Sequence, residues 1–346
     1  MIRNYVLESP ETWQGRIDDT EDYDSFRWHQ WIKLIDLNDN SLKAFDGTFA
    51  FCLIGFECDF GIGLNKGRVG AAKGPVSIRK ELANLPCQFN EEIKIFDAGN
   101  IITDGLSLDE AQDCLGEAVN RILDLNMFPI VLGGGHETAF GHFKGLFKHF
   151  LKDDESIGII NFDAHFDTRP YEKFGGTSGT MFRQIRDLVQ ENGFDYNYMC
   201  IGIQKHSNTK SLFNFAKENE VKYILAKDIV NRDIPSLFDE IDEFIQSVDY
   251  IYITICSDVF STAFAPGVSA PQALGMDPEK AIVLLKHILS HENVVSFDIA
   301  EVSPRFDKDN TTATLAAVLI FSLVTKISTL IEKRKNKKKI KRSRSY

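Results

Sequence analysis

Two carboxylates and an imidazole alternate at Asp163, His165 and Asp167, directly after the apolar run at residues 157–160. Successive residues of an extended strand point to opposite sides, so these three side chains share one side. Burying charged groups without compensation is costly, which means that a cation or a hydrogen-bond network must accompany them. The pattern therefore predicts a metal site at the end of a buried strand.

Three other apolar runs also end in side chains that bind metals or cationic groups. The runs are 128–132, 250–255 and 294–297, and the residues that follow them are His136, Cys256 with Asp258, and Glu301. In open parallel α/β sheets the active site lies beyond the carboxyl ends of the strands. We therefore expect the four groups of polar residues to converge.

Short β-branched runs alternate with amphipathic stretches along the chain, which is typical of a mostly parallel sheet covered by helices on both faces. The fold class is thus α/β, with three layers and about eight strands. Strands are predicted at 48–55, 93–97, 128–132, 156–162, 198–203, 221–226, 249–256 and 293–298. Helices are predicted at 25–35, 75–85, 107–125, 138–150, 180–190, 211–218, 234–246, 278–289 and 311–332.

These motifs resemble the ureohydrolase superfamily of arginase, agmatinase and formimidoylglutamase, and formimidoylglutamase most closely. The resemblance covers about residues 10–325 and implies an arginase-like fold. The motifs that carry it lie at residues 13–18, 27–30, 133–137, 163–169, 177–180, 202–204, 257–260 and 265–270.

The resemblance implies a manganese site, with one or two Mn²⁺ ions, whose ligands here are His136, Asp163, His165, Asp167 and Asp258. Cys256 departs from the family, which has a metal-bridging aspartate at that position. Mn²⁺ prefers carboxylate ligands, whereas a thiolate prefers softer ions. A bound cation would nevertheless deprotonate the thiol. A thiolate-bridged pair, a single retained ion and a site with weak metal binding all remain open.

The resemblance also implies three substrate contacts. Glu301 matches the glutamate that pairs with the cationic amidine or guanidine and is expected to be catalytic. Arg169 is a candidate for holding a substrate carboxylate, against the alternative of a structural pair with a nearby acid. Ser178 lies at the substrate, where arginase and agmatinase have a proton-shuttling histidine. The loops at 59–74 and 174–179 are expected to form the rim of the pocket.

The function implied is metal-dependent hydrolysis of N-formimidoyl-L-glutamate to L-glutamate and formamide, in histidine breakdown. An agmatinase-type or arginase-type guanidine hydrolase is the first alternative, and Ser178 weighs against it. The second is a binding protein on the same fold that has lost catalysis, for which Cys256 is the only support. The remaining histidines are expected to be structural or superficial: His142 and His149 have exposed-looking spacing, while His29, His206, His287 and His291 have no partner motif.

Composition limits the location and the partners of the chain. The net charge is −11, although residues 333–346 contain nine Lys and Arg and no acid, so the main body is strongly acidic and should not attract nucleic acid. No run of eighteen apolar residues occurs, and the six cysteines lack metal or disulfide spacing. We expect a soluble, cytoplasmic homo-oligomer with a small-molecule substrate and no membrane contact. Its parts are an N-terminal extension (1–46), a catalytic domain (47–332) and a disordered basic tail (333–346).

Overall fold

The computed structural model describes residues 1–150, 155–173 and 175–343, with side chains up to residue 337. Ten strands of this described part join in one sheet. They are β1 (Tyr5–Val6), β2 (Lys33–Leu34), β3 (Phe49–Glu57), β4 (Ile93–Ile102), β5 (Phe128–Leu132), β6 (Ile157–Phe162), β7 (Asn197–Ile203), β8 (Lys222–Leu225), β9 (Tyr250–Cys256) and β10 (Val294–Ala300).

The strand order is β1-β4-β3-β5-β10-β9-β6-β7-β8, with β2 also paired to β4. Every pairing is parallel except that of β1 with β4. The eight predicted strands are confirmed. The central ones, such as β5, β6 and β9, are apolar runs buried on both faces, as parallel strands require, whereas the edge strand β8 begins with two exposed residues. The two strands that the sequence analysis missed, β1 and β2, are only two residues long.

Helices connect the strands and cover both faces of the sheet. They are α1 (Trp28–Trp31), α2 (Phe60–Leu64), α3 (Gly74–Ala83), α4 (Leu108–Asp124), α5 (Thr138–Phe150), α6 (Met181–Glu191), α7 (Lys210–Glu218), α8 (Ala226–Asn231), α9 (Ile234–Gln246), α10 (Pro278–Ile288) and α11 (Thr311–Ser343). Local signals set several starts. Ser107 and Glu110 form the capping box of α4, and Asp277 caps α10 ahead of a proline at its first position.

Two hydrophobic clusters lie on opposite faces of the sheet and make the three-layer α/β/α arrangement that the sequence predicts. One cluster packs α3, α9, α10 and α11 against the sheet, with buried residues such as Leu82, Leu284 and Leu319. The other packs α4, α5, α6 and α7, with residues such as Val119 and Phe143. All six cysteines are buried and unpaired, in agreement with the absence of disulfide spacing in the sequence.

A buried ionic network attaches the N-terminal segment to the sheet. The guanidinium of Arg79 binds both carboxylate oxygens of Asp97 at 2.8 Å and lies 3.0 Å from Glu8 Oε2. Trp13 donates its indole N–H to the same Asp97 at 2.7 Å. Removing one partner of a buried pair of this kind costs about 3–5 kcal/mol. The segment is therefore held on the domain by charge as well as by β1 and β2; the division at residues 46 and 332 stays a prediction.

The C-terminal helix differs from its predicted extent. Disorder was expected from residue 333, but α11 continues to Ser343, while residues 344–346 lie outside the described part. Lysine and arginine have good helix propensity, and Lys335 contacts Glu92 Oε2 at 2.5 Å while Arg334 contacts Glu292 at 2.8 Å. The first charges of the basic segment are therefore neutralised by the acidic body.

One helix of the described residues, α11 over 311–337, is long and apolar enough to cross a membrane by length and composition alone. Of its most apolar window, 44% is buried inside the protein. Leu319, Ile320 and Leu323 are fully buried, and the helix packs against α3 and α10. Packing in the core thus accounts for the apolar residues on the buried side of the helix.

Candidate metal centre and active site

Four neighbouring strands in the middle of the sheet end at one place. Their spatial order is β5, β10, β9 and β6, and all four run in the same direction. Their carboxyl ends lead into His136, Glu301, Cys256 with Asp258, and Asp163 with His165 and Asp167. The convergence expected from the sequence is present in the structure, which brings every one of these residues to a single cavity or to its floor.

A glycine turn after β5 places His136. A Cβ atom at Gly134 would lie 1.7 Å from the carbonyl oxygen of Cys58, so only glycine fits there. The backbone N–H of Glu301 donates to the carbonyl of Gly134 at 2.8 Å, and that of His136 donates to Glu301 Oε1 at 3.0 Å. The ends of β5 and β10 are therefore fixed to each other through His136 and Glu301.

The potential metal ligands form two groups that share Asp163. In the first group, His136 Nδ1 lies 3.1 Å from Asp163 Oδ2 and 3.1 Å from Asp167 Oδ2. In the second, His165 Nδ1 lies 3.4 Å from Asp163 Oδ1 and 3.3 Å from Asp258 Oδ2. The two oxygens of Asp163 thus face different groups. This arrangement suits a carboxylate that bridges two ions.

Cys256 belongs to the first group. Ligand atoms of Cys256, His136 and Asp163 all lie within 4.8 Å of one another, as do those of Asp163, His165 and Asp258. Burial raises the pKa of the Cys256 thiol well above its usual value, and the nearby carboxylates of Asp163 and Asp258 raise it further. The thiol therefore needs a cation beside it in order to ionise.

The charges of the site also call for a cation. Burial, with Asp163 beside it, raises the pKa of Asp167 to about 6, and burial with Asp258 raises the pKa of Glu301 well above its usual range. Burial by itself lowers the pKa of His136, but the carboxylates of Asp163 and Asp167 outweigh it, and the net shift is upward. Asp258 Oδ1 and Glu301 Oε2 are buried and have no hydrogen-bond partner within the described part of the chain. Unsatisfied buried acceptors, two imidazoles and shared carboxylates are the donor set that fits divalent ions.

A hydrogen-bond chain behind His136 orients its ring. Thr254 Oγ1 donates to Asp298 Oδ1 at 2.6 Å and therefore accepts from His136 Nε2 at 3.0 Å, since its single proton is already used. Asp298 is bound in turn by Tyr252 and by His142 Nδ1. Because Thr254 fixes a proton on Nε2, Nδ1 is the nitrogen that faces the ligand group and would bind an ion there.

The sequence analysis missed this chain and misplaced His142. Spacing indicated an exposed position for His142, but the residue is fully buried, because it faces the polar side chains of Asp298 and Ser296 at the centre of the sheet. The alternation of Tyr252, Thr254 and Cys256 along β9 is the one signal that could have revealed a polar row on this strand.

The cavity over the ligand groups has a volume of about 310 Å³ and a floor and rim of opposite charge. The floor carries His136, His165, Asp167, Cys256, Asp258 and Glu301, and the rim carries Asn65, Lys66, Arg68, Arg169 and Ser178. In the described part of the chain, no carboxylate lies within salt-bridge distance of Lys66, Arg68 or Arg169. The sequence left two interpretations of Arg169 open, a substrate contact or a structural ion pair. No such ion pair is present among the described residues.

Both loops predicted for the rim contribute to it. Residues 65–68 and Ser178 line the cavity, and Asn65 donates to Ser178 Oγ at 3.4 Å; residue 174 lies outside the described residues. Arg68 and Lys66 were not singled out by the sequence analysis. Arg68 is held in place by Ser269 O at 3.0 Å and by the ring of Phe306.

Three cavity residues other than glycine adopt the left-handed backbone conformation. They are Lys66 (φ 62°), Asp167 (φ 48°) and Glu301 (φ 66°). Such conformations cost energy and persist where the surroundings impose them, commonly at functional sites. Two of the three, Asp167 and Glu301, are residues that the sequence analysis assigned to chemistry, whereas Lys66 is a rim residue that it did not single out.

The fold and the placement of these residues define an α/β protein with a candidate metal site beyond its strand ends. A model of the arginase family matches residues 49–325, and the chain belongs to that family.

Several relatives share almost the whole chain. Formimidoylglutamase of Clostridium tetani is 55% identical over 327 residues, which cover 94% of this chain and 97% of that protein. Formimidoylglutamase of Streptococcus pyogenes is 43% identical over 325 residues, which cover 94% and 98%. The family resemblance seen in the sequence is thereby confirmed.

Solved structures show the same fold. The crystal structure of formimidoylglutamase from Bacillus subtilis superposes with a TM-score of 0.77 at 22% identity, covering 91% of this chain and 96% of that one. That of Trypanosoma cruzi formiminoglutamase with Mn²⁺ gives a TM-score of 0.73 at 25% identity, covering 84% and 97%. The arginase-like α/β fold predicted from the sequence is confirmed.

Proposed function

We propose that this protein hydrolyses N-formimidoyl-L-glutamate to L-glutamate and formamide with the help of Mn²⁺. The observation that carries the proposal is the polarity of the cavity: an acidic, histidine-containing floor lies below a rim of three cations that have no acidic partner among the described residues. Formimidoylglutamate has the matching polarity, since it carries a cationic amidine at one end and two carboxylates at the other. The names of the relatives with 55% and 43% identity agree with this substrate.

The floor would hold two ions. His136, Asp163, Asp167 and Cys256 would bind the first, and His165, Asp163 and Asp258 the second, with Asp163 shared between them. When bound, a pair of divalent ions lowers the pKa of water and so supplies a nucleophile at neutral pH. Cys256 would contribute a thiolate where an oxygen ligand is usual for Mn²⁺, so the affinity for the softer Zn²⁺ should be raised relative to Mn²⁺.

Glu301 would orient the reacting carbon. Its Oε1 accepts from the backbone of His136, whereas its buried Oε2 has no partner among the residues that the structure describes and is available to an amidine N–H. A charge-assisted hydrogen bond of this kind is short and directional. Fixing the amidine over the ligand groups replaces a bimolecular encounter with an oriented one. Orientation of this kind removes a large share of the activation barrier.

The rim would bind the substrate carboxylates. Arg169 is exposed to the cavity and has no carboxylate within salt-bridge distance among the described residues, so its guanidinium is available for bidentate binding. Ser178 lies beside it on the same rim. Agmatine has no carboxylate and would leave these cations uncompensated, which disfavours the guanidine-hydrolase alternative.

A substrate panel tests the proposal. The purified protein, loaded with Mn²⁺ and separately with Zn²⁺, is assayed on formimidoylglutamate, arginine and agmatine. We expect turnover of formimidoylglutamate alone, and a loss of about 10²-fold or more in kcat for Glu301→Gln, since the variant keeps the shape but loses the charge that orients the amidine. Glu279→Gln, on the outer surface of α10, is the matched control. Wild-type turnover by Glu301→Gln, or hydrolysis of agmatine in preference, would contradict the proposal.

The setting of the reaction is also a proposal. Buried, unpaired cysteines suit a reducing cytoplasm, and the predicted place in histidine breakdown follows from the substrate. A homo-oligomeric state and the absence of nucleic-acid and membrane partners stay predictions.

A further inference from the structure

A second group of metal-binding side chains lies far from the candidate active site. Asp242 is on α9, His287 is in the last turn of α10, and His291 lies in the turn that leads into β10. His291 thus precedes the amino end of β10, whereas Glu301 follows its carboxyl end. The group is therefore at the opposite edge of the sheet from the cavity.

Both imidazoles point at one oxygen atom. His287 Nε2 lies 2.6 Å and His291 Nε2 2.9 Å from Asp242 Oδ1. The ring of His287 is stacked on that of Phe238, with centroids 3.7 Å apart and planes inclined by 2°. Phe238 and Asp242 are one helical turn apart and share a face of α9. The direction of the His287 ring is therefore set by packing and not by the carboxylate alone.

The spacing of the three donors fits a small divalent ion. All three lie within 4.8 Å of one another. A tetrahedral zinc ion with bonds of about 2.0–2.2 Å separates its ligand atoms by about 3.3–3.5 Å. The carboxylate needs to retreat by less than about 1 Å to admit an ion between the three groups. The side chains of His287, His291 and Asp242 are 20%, 26% and 29% exposed, so an ion from solution can reach them.

We propose that Asp242, His287 and His291 form a second metal site, which binds Zn²⁺ or a neighbouring divalent ion such as Co²⁺ or Ni²⁺. Two imidazoles and one carboxylate are the donors that these ions take, with water in the fourth position. Mn²⁺, which favours oxygen ligands, would bind there more weakly. A bound ion joins α9 to the segment between α10 and β10, so it stabilises the folded chain in proportion to its occupancy.

The zinc content of matched variants tests this site apart from the active site. Wild-type protein and the variants His291→Gln, Asp242→Asn and His149→Gln are dialysed against the same Zn²⁺ solution and analysed for bound metal. His149 is the control, because it pairs with Asp124 at 3.1 Å without a second histidine among the described residues at that carboxylate. The active-site contribution is the same in all four proteins and cancels in the comparison.

We expect His291→Gln and Asp242→Asn to hold one Zn²⁺ per chain fewer than the wild type, and His149→Gln to hold the wild-type amount. Added Zn²⁺ should also raise the melting temperature of the wild type more than that of His291→Gln. His287 is left unchanged, since its stacking on Phe238 could disturb folding when removed. Equal zinc content in wild type and His291→Gln, or an equal loss in His149→Gln, would overturn the proposal.

Discussion

Replacing Thr254 by valine should weaken metal binding without touching a ligand. The side chain of Thr254 accepts from His136 Nε2 at 3.0 Å and donates to Asp298 Oδ1 at 2.6 Å, and all three residues are fully buried. Valine preserves the shape but removes both hydrogen bonds, so two buried polar groups lose a partner. Each such loss costs about 1–3 kcal/mol, which gives a destabilisation of about 2–6 kcal/mol.

The effect on metal binding follows from the same contact. Without Thr254 the proton of His136 is no longer held on Nε2, and the ring no longer presents Nδ1 in a fixed direction. Removing the hydrogen-bond partner of a metal-binding histidine typically lowers metal affinity by about 10–100-fold. We expect the dissociation constant for Mn²⁺ to rise by that factor, as measured from the electron paramagnetic resonance signal of free Mn²⁺.

Two further variants make the test specific. Thr254→Ser keeps the hydroxyl and should retain most of the affinity. Thr325→Val removes a hydroxyl that donates to the carbonyls of Phe321 and Ser322 within α11, far from the ligand groups, and should leave Mn²⁺ binding unchanged. Denaturant titration of each apo protein separates the loss of stability from the loss of affinity. A folded Thr254→Val protein with wild-type Mn²⁺ affinity would refute the role given to this chain.

Two other predictions concern charge. Cys256→Asp should raise the affinity for Mn²⁺ over that of the wild type and of Cys256→Ser, because it supplies an oxygen ligand within the first group, and unchanged Mn²⁺ titrations would show that the thiol does not face the ions. For Glu8, burial raises the pKa, but Arg79 and hydrogen bonds from Asn100 and Thr12 outweigh it, so the folded pKa is lower than the ordinary 4.5. The stability that Glu8 contributes is thus present above about pH 4.5 and is lost as the pH falls through the lower pKa of the folded state. Urea midpoints measured from pH 6 to pH 3 should therefore fall less steeply for Glu8→Gln than for the wild type. Equal slopes for the two proteins would exclude this role.

Much of the site could be predicted because its residues follow strands. The ends of parallel strands share one edge of the sheet, so the order of apolar runs and polar residues was enough to bring His136, Asp163, Asp258 and Glu301 together. The roles of these residues as ligands and substrate contacts stay proposals, and the substitution at Cys256 is the point at which they are most sharply tested.

Contacts that depend on the packing of side chains could not be predicted. Thr254 lies inside an apolar run, and nothing in its neighbours indicates that its hydroxyl reaches a histidine 118 residues earlier. His287 and His291 had no partner motif because Asp242 comes from another helix, 45 and 49 residues away. Short elements such as β1 and α2 escaped for a different reason, since they contain too few residues to show a period.

The position of β10 has a consequence for how the chain assembles. This strand is the last along the sequence, yet it lies between β5 and β9 and pairs with both. Before residue 300 has left the ribosome, β5 and β9 each present an unpaired, apolar edge, and such edges invite pairing with other chains. A polypeptide that ends before residue 294 would therefore form two separate half-sheets that are prone to aggregation. It could not assemble the candidate active site, because β10 joins the two halves and leads into Glu301.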